Sequence, residues 1–146
     1  MAVNTAVSGK EWPAISYEVG REKIREYSNA VGESNPLYSE AAAARAAGFR
    51  NVVAPPMFCV VYSAASMGEA MMDDEVALNF AKLVHGEQRF EWGEPVCAGD
   101  EISTTVKLTG VSKKMSMGFY VFETESVNQD GVRTVTGIWT DIVRDV

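Results

Sequence analysis

Histidine is almost missing from this chain. His85 is the only one among 146 residues, which excludes a multi-histidine metal site. Cysteine is nearly as scarce. Cys59 and Cys97 show no Cys-x-x-Cys spacing and no Cys/His cluster, so no zinc site is expected. Basic residues are few, 13 against 20 acidic, for a net charge of −7. A nucleic-acid binder needs a basic face, and that balance denies it. It gives no attraction to an anionic membrane either. No apolar run approaches the roughly 20 residues of a membrane span, so no membrane insertion is expected. The opening stretch, MAVNTAVSGKEW, has no apolar core, and no signal peptide is expected. Internal repeats and low-complexity linkers are missing too. Together these absences lead to the expectation of a reduced, cytoplasmic protein.

What is present is ordinary globular material. Hydrophobic residues make up 47% and charged residues 23%. The length is that of one domain, 1–146, able to bury about 70% of its unfolded surface. The patterning divides into a helical first half, about 20–72, and a strand-rich second half, about 82–145. Strands and helices do not alternate, so the fold class is α+β.

In the first half, Ile24, Tyr27 and Val31 share one face of a helix over Arg21–Val31. Gly32 stands where a helix end favours glycine, and Asn35-Pro36 signals a turn. Ser39 is the expected N-cap of a short helix over Glu40–Ala47, with Gly48 as its stop. Pro55-Pro56 precedes Met57–Met72, a segment apolar or small on nearly every side. Such a helix belongs in the middle of a domain, with proline at its first turn. Its small residues Ser63, Ala64, Ala65, Ser66 and Gly68 permit close approach of a sheet. Its methionines are core fillers before they are an acyl tunnel.

The second half alternates with period two. Strands are expected over Val84–Trp92, Glu101–Leu108, Gly118–Val127 and Arg133–Val143. Asp130-Gly131 is the expected hairpin turn between the last two. The picture is a long antiparallel sheet wrapped around a central apolar helix. One copy leaves edges and faces uncovered, so a dimer is expected.

Three stretches carry a resemblance. They are YEVGREKIREY from Tyr17 to Tyr27, GESNPLY from Gly32 to Tyr38 with the helix after it, and Val84–Trp92 leading into EPVCAGD. With APPMF around Pro56, they resemble the MaoC-like hydratase/dehydratase branch of the hot-dog fold. Within it they look like the A and C subunits of the actinobacterial (3R)-hydroxyacyl-ACP dehydratase and related small proteins. The resemblance covers most of the chain. It implies a single hot-dog domain and an acyl substrate carried as a CoA or carrier-protein thioester. It implies no metal and no redox cofactor.

Catalytic members carry Gly-Asp-x-Asn-Pro-(Leu/Ile/Val)-His. One acid/base group serves the α-proton and another the β-hydroxyl or water. Matched residue by residue, Glu33 falls on the Asp position and Tyr38 on the His position, while Asn35, Pro36 and Leu37 agree. Glu moves the carboxylate by one methylene, and a misplacement of about 1 Å can cost a hundredfold in rate. A phenol with a pKa of about 10 is a poor base at neutral pH. In the family, a backbone N–H at the start of the central helix polarises the thioester carbonyl. The matching position here is Pro56, which has no N–H. Losing one such donor costs about 10²–10³ in rate, unless the N–H of Met57 takes its place.

The residues that the resemblance sets in a substrate site are therefore Glu33, Tyr38, Asn35, Pro56, Met57 and Cys59. His85 is a further candidate base or interface residue. Cys59 otherwise reads as a core thiol. Arg50 and Lys113-Lys114 are the cations available to phosphates, although exposed hairpin lysines are ordinarily only solvated. Three functions stay open. The chain is a binding subunit of a dehydratase whose Asp and His come from a partner hot-dog chain. Or it is a self-sufficient homodimer using Glu33 with Tyr38 or His85. Or it binds acyl thioesters without catalysis.

Overall fold

A computed structural model describes residues 3–146. Its strands are β1 (Glu11–Glu18), β2 (Leu83–Trp92), β3 (Glu101–Lys114), β4 (Met117–Val127) and β5 (Arg133–Arg144). Its helices are α1 (Arg21–Val31), α2 (Ala41–Ala46) and α3 (Cys59–Met71). The strands form one antiparallel sheet in the order β1-β3-β4-β5-β2. Helix α3 packs on β1, β3 and β4. This is the expected α+β hot-dog arrangement, a long sheet curled around one helix.

Strand β1 is the element that the sequence pattern did not show. Pro13 breaks its alternation, and proline is confined to edges and bulges in sheets. Both conditions hold here. β1 is an edge strand, and its register with β3 shifts between Trp12 and Ile15, so that Pro13 falls in the irregularity. β3 runs on past the expected Leu108 to Lys114. A second register shift, between Leu108 and Gly110, carries it around the curve.

Two further boundaries differ from expectation. Glu40, not Ser39, is the cap of α2, and no side chain bonds the helix start. The Ser39 N–H instead donates to Pro36 O, closing a 3-10 turn over Pro36–Tyr38. The central helix begins as a 3-10 turn, Pro56–Phe58, and becomes α-helical only at Cys59.

The sheet-facing side of α3 is Cys59, Tyr62, Ser63, Ser66, Met67 and Ala70. The two serines let the sheet come close: Ser66 Oγ donates to Thr104 O of β3 at 3.0 Å. The opposite side does not fit a helix buried all round. Ala64 and Ala65 are exposed, and Val60, Val61 and Gly68 are half-buried. The sheet wraps one side only. Two apolar clusters flank the helix, one around Ile24, Phe58, Tyr62 and Ile102, the other around Trp12, Met67, Leu108 and Phe122. Among the described residues no helix is long and apolar enough to cross a membrane.

Candidate functional site

The Gly32–Tyr38 loop is built from its own backbone chemistry. Gly32 takes the left-handed conformation, φ 72°, that ends α1. Its N–H donates to Asn29 O and the Glu33 N–H donates to Ser28 O at 2.8 Å, satisfying the last helical carbonyls. Glu33 then turns inward on the chain. Its Oε1 accepts from the N–H groups of Ser34 at 3.1 Å and Asn35 at 3.2 Å. Asn35 Oδ1 accepts from the Leu37 N–H at 3.0 Å. Both side chains are exposed and spend their acceptors on the loop itself.

Leu37 and Tyr38 are different. They are half-buried and pack on Ala44, Val53 and Cys97, and the Val53 N–H donates to Leu37 O at 2.9 Å. Burial, with a smaller contribution from the negative charge of Glu33, pushes the Tyr38 phenol above its ordinary pKa. At neutral pH it is a neutral group that can donate a hydrogen bond.

Tyr38 lines a pocket of about 230 Å³. Leu37, Phe49, Val53 and Pro56 continue its apolar wall, and Trp92 covers one side from the end of β2. The indole Nε1–H of Trp92 donates to Pro56 O at 3.0 Å. Tyr62 of α3 and Thr134 of β5 also line it, with their hydroxyls 3.5 Å apart.

The pocket thus brings together Tyr38 and Pro56 of the residues singled out in the sequence. Glu33 and Asn35 lie on the loop outside its lining. Met57 is 43% exposed and Cys59 is fully buried; neither lines it. Burial raises the Cys59 thiol to about 11, against an opposing bond from Trp92, so this is a core thiol. His85 sits near the far end of β2, seven residues from Trp92, or roughly 23 Å along the strand. Its Nδ1 is 3.4 Å from Asp141 Oδ1, and its ring meets Trp139 edge to face.

Arg50 is not a free cation for phosphates. It grips Asp100 with two bonds, at 2.7 and 2.9 Å. Asp100, 1% exposed, also accepts from the Cys97 N–H and Gln129. Burial pushes its carboxyl pKa up. The bonds from Arg50, Cys97 and Gln129 outweigh that and hold it below the usual carboxylate value. Lys113 and Lys114 lie at the β3–β4 hairpin, at the end of the sheet away from Thr134. Trp92, Tyr62 and Thr134 were missed in the sequence. Trp92, an aromatic ending a strand before Gly93-Glu94-Pro95, was the one available signal.

Residues 6–137 match a family model described as FAS1-like, dehydratase domain region. A UPF0336 protein of Clavibacter michiganensis is 38% identical over 99% of this chain and 97% of its own length. A chain of the HadBC (3R-hydroxyacyl-ACP dehydratase) complex from Mycobacterium tuberculosis superposes with TM-score 0.84 and 25% identity, over 95% of this chain and 98% of that one. A chain of the ChsH1-ChsH2 complex from the same organism has the same fold, with TM-score 0.73 and 19% identity over 92% and 89% of the two chains. The chain belongs to the MaoC-like hot-dog family of dehydratases and hydratases, among the UPF0336 proteins.

Proposed function

We propose that this chain is the acyl-thioester-binding subunit of a (3R)-hydroxyacyl dehydratase or enoyl hydratase, and that a partner hot-dog chain supplies the catalytic Asp and His. The observation that carries this reading is the state of Glu33. Its carboxylate is exposed and hydrogen-bonded to two amides of its own loop, while the pocket beside it holds only a neutral phenol at the position of the family base. Removing water across Cα–Cβ requires a proton acceptor within reach of the α-carbon. Neither of the two family positions puts such an acceptor in the pocket, and the one carboxylate in its lining is Glu94, exposed in the loop after β2. Pro56 deepens the deficit, because it offers no N–H to an oxyanion. It presents a carbonyl to Trp92 instead.

The pocket is suited to an acyl chain. It is apolar, and Tyr38 stands where a thioester oxygen can accept its hydrogen bond. The outer edge of β2 supports a partner chain. It is ten residues long, and Val84 and Trp92 are 39% and 48% exposed. An edge strand with open backbone groups and apolar side chains is a template for another strand. The open side of α3, with Ala64 and Ala65, supports the same conclusion. The HadBC and ChsH1-ChsH2 relatives are themselves complexes. The test is co-expression with a hot-dog chain that carries the intact motif, followed by a hydration assay on crotonyl-CoA. Turnover by the pair and not by this chain alone supports the subunit reading. Binding without turnover in every combination favours the non-catalytic alternative.

A further inference from the structure

The pocket wall is apolar, yet its most deeply buried polar side chains are two hydroxyls. Tyr62 is 4% exposed and Thr134 2% exposed, and both face the cavity. Thr134 Oγ1 donates to Ser126 O at 3.2 Å. A hydroxyl has one proton to give, so the donor in the Tyr62–Thr134 contact is the phenol. At 3.5 Å that contact is longer than an ordinary O–H···O bond. The hydroxyls behind it are already well paired: Thr104 Oγ1 with Ser126 Oγ at 2.7 Å, and Ser66 Oγ with Thr104 O at 3.0 Å. Of the hydroxyls in this network, Tyr62 has the longest contact and so the least-used proton. Buried polar groups in folded proteins find partners, and the space in front of this one is the cavity.

We propose that the inner end of the pocket recognises an oxygen carried on the acyl chain itself, a hydroxyl or keto group remote from the thioester, through the Tyr62 hydroxyl backed by Thr134. This rests on the acyl-thioester reading above and specifies its substrate class. A fully saturated chain reaching the inner end strips Tyr62 of water and returns no bond. An oxygenated chain returns one. The discrimination expected from a single such bond is about tenfold.

Calorimetric titration of the full chain tests this, using hexanoyl- to decanoyl-CoA paired with the same chains hydroxylated at the terminal carbon. A short n-alkanol and the 1-chloroalkane of equal length, followed by ligand-observed NMR, probe the pocket without the thioester. The expected result is tighter binding of the hydroxylated member by about tenfold at one chain length. The alkanol shows the same preference, and Tyr62→Phe abolishes both. Equal affinities in the wild-type protein overturn the proposal, and that comparison needs no variant to fold. A preference that survives in Tyr62→Phe overturns the assignment to Tyr62. If no acyl-CoA binds while the Tyr62-dependent alkanol preference is present, the thioester reading falls and the polar inner end stands. If neither alkanol nor acyl-CoA binds, both fall.

Discussion

The indole of Trp92 donates to the carbonyl of Pro56 at 3.0 Å, tying the end of the edge strand β2 to the residue that opens the central helix. Both side chains line the pocket, so this bond holds its two walls together. Trp92 is 48% exposed, which limits the bond's contribution to about 1 kcal/mol. Trp92→Phe is expected to leave the fold intact and lower the unfolding free energy by about that amount in urea. Acyl-CoA affinity should drop about fivefold for the same reason. An unchanged affinity would separate Trp92 from ligand binding.

Restoring the family residues should restore chemistry in steps. Glu33→Asp with Tyr38→His returns the carboxylate and imidazole to the loop. Crotonyl-CoA hydration by this double variant is expected to rise above that of the wild-type chain, because a base then stands at the pocket. Adding Pro56→Gly returns a backbone N–H to the helix start, and a further rise of about 10²–10³ is expected. Steady-state kinetics on the three proteins check it. A flat series would mean that the deficit lies elsewhere than in these positions.

Asp100 is the polar tie beneath the site, joining Arg50, the Cys97 amide and Gln129. Its pKa is lower in the folded chain than in the unfolded one. Its stabilisation is therefore complete above the unfolded value of about 3.9 and is lost as pH falls through the lower folded value. Asp100→Asn is expected to cost about 2–3 kcal/mol at neutral pH. The difference from the wild type should shrink in strongly acidic buffer. Denaturation at a series of pH values reads this directly.

Asp141 has the opposite sign. It is 4% exposed, and burial raises its carboxyl despite the opposing charge of His85. The cost of holding it ionised is absent below the unfolded value of about 3.9 and complete above the raised folded value. Asp141→Asn is expected to raise the melting temperature at neutral pH and to converge on the wild type as pH falls well below the unfolded value of about 3.9. A lower melting temperature at neutral pH would show that the His85 contact outweighs the burial.

Much of the fold was legible because its signals are local. The period-two runs gave four strands, and Gly32 marked the end of α1. β1 was hidden by Pro13, since a bulged edge strand has no clean alternation. The exposed side of α3 was hidden because composition shows that a helix is apolar and not how far a sheet wraps it. The site was half legible. Tyr38 and Pro56 are found by motif, and both line the pocket. Tyr62, Trp92 and Thr134 come from three separate elements that only tertiary packing brings together. Arg50 looked like a free cation because its partner, Asp100, lies fifty residues away.

The most direct measurement is the rate of crotonyl-CoA hydration by this chain alone, by a hot-dog partner bearing the intact motif alone, and by the two together. The expected result is no turnover above background from this chain alone, with turnover in the mixture well above that of the partner. Enzyme-level turnover by this chain alone, abolished by Tyr38→Phe, would contradict the division of labour and make Tyr38 part of a self-sufficient catalyst.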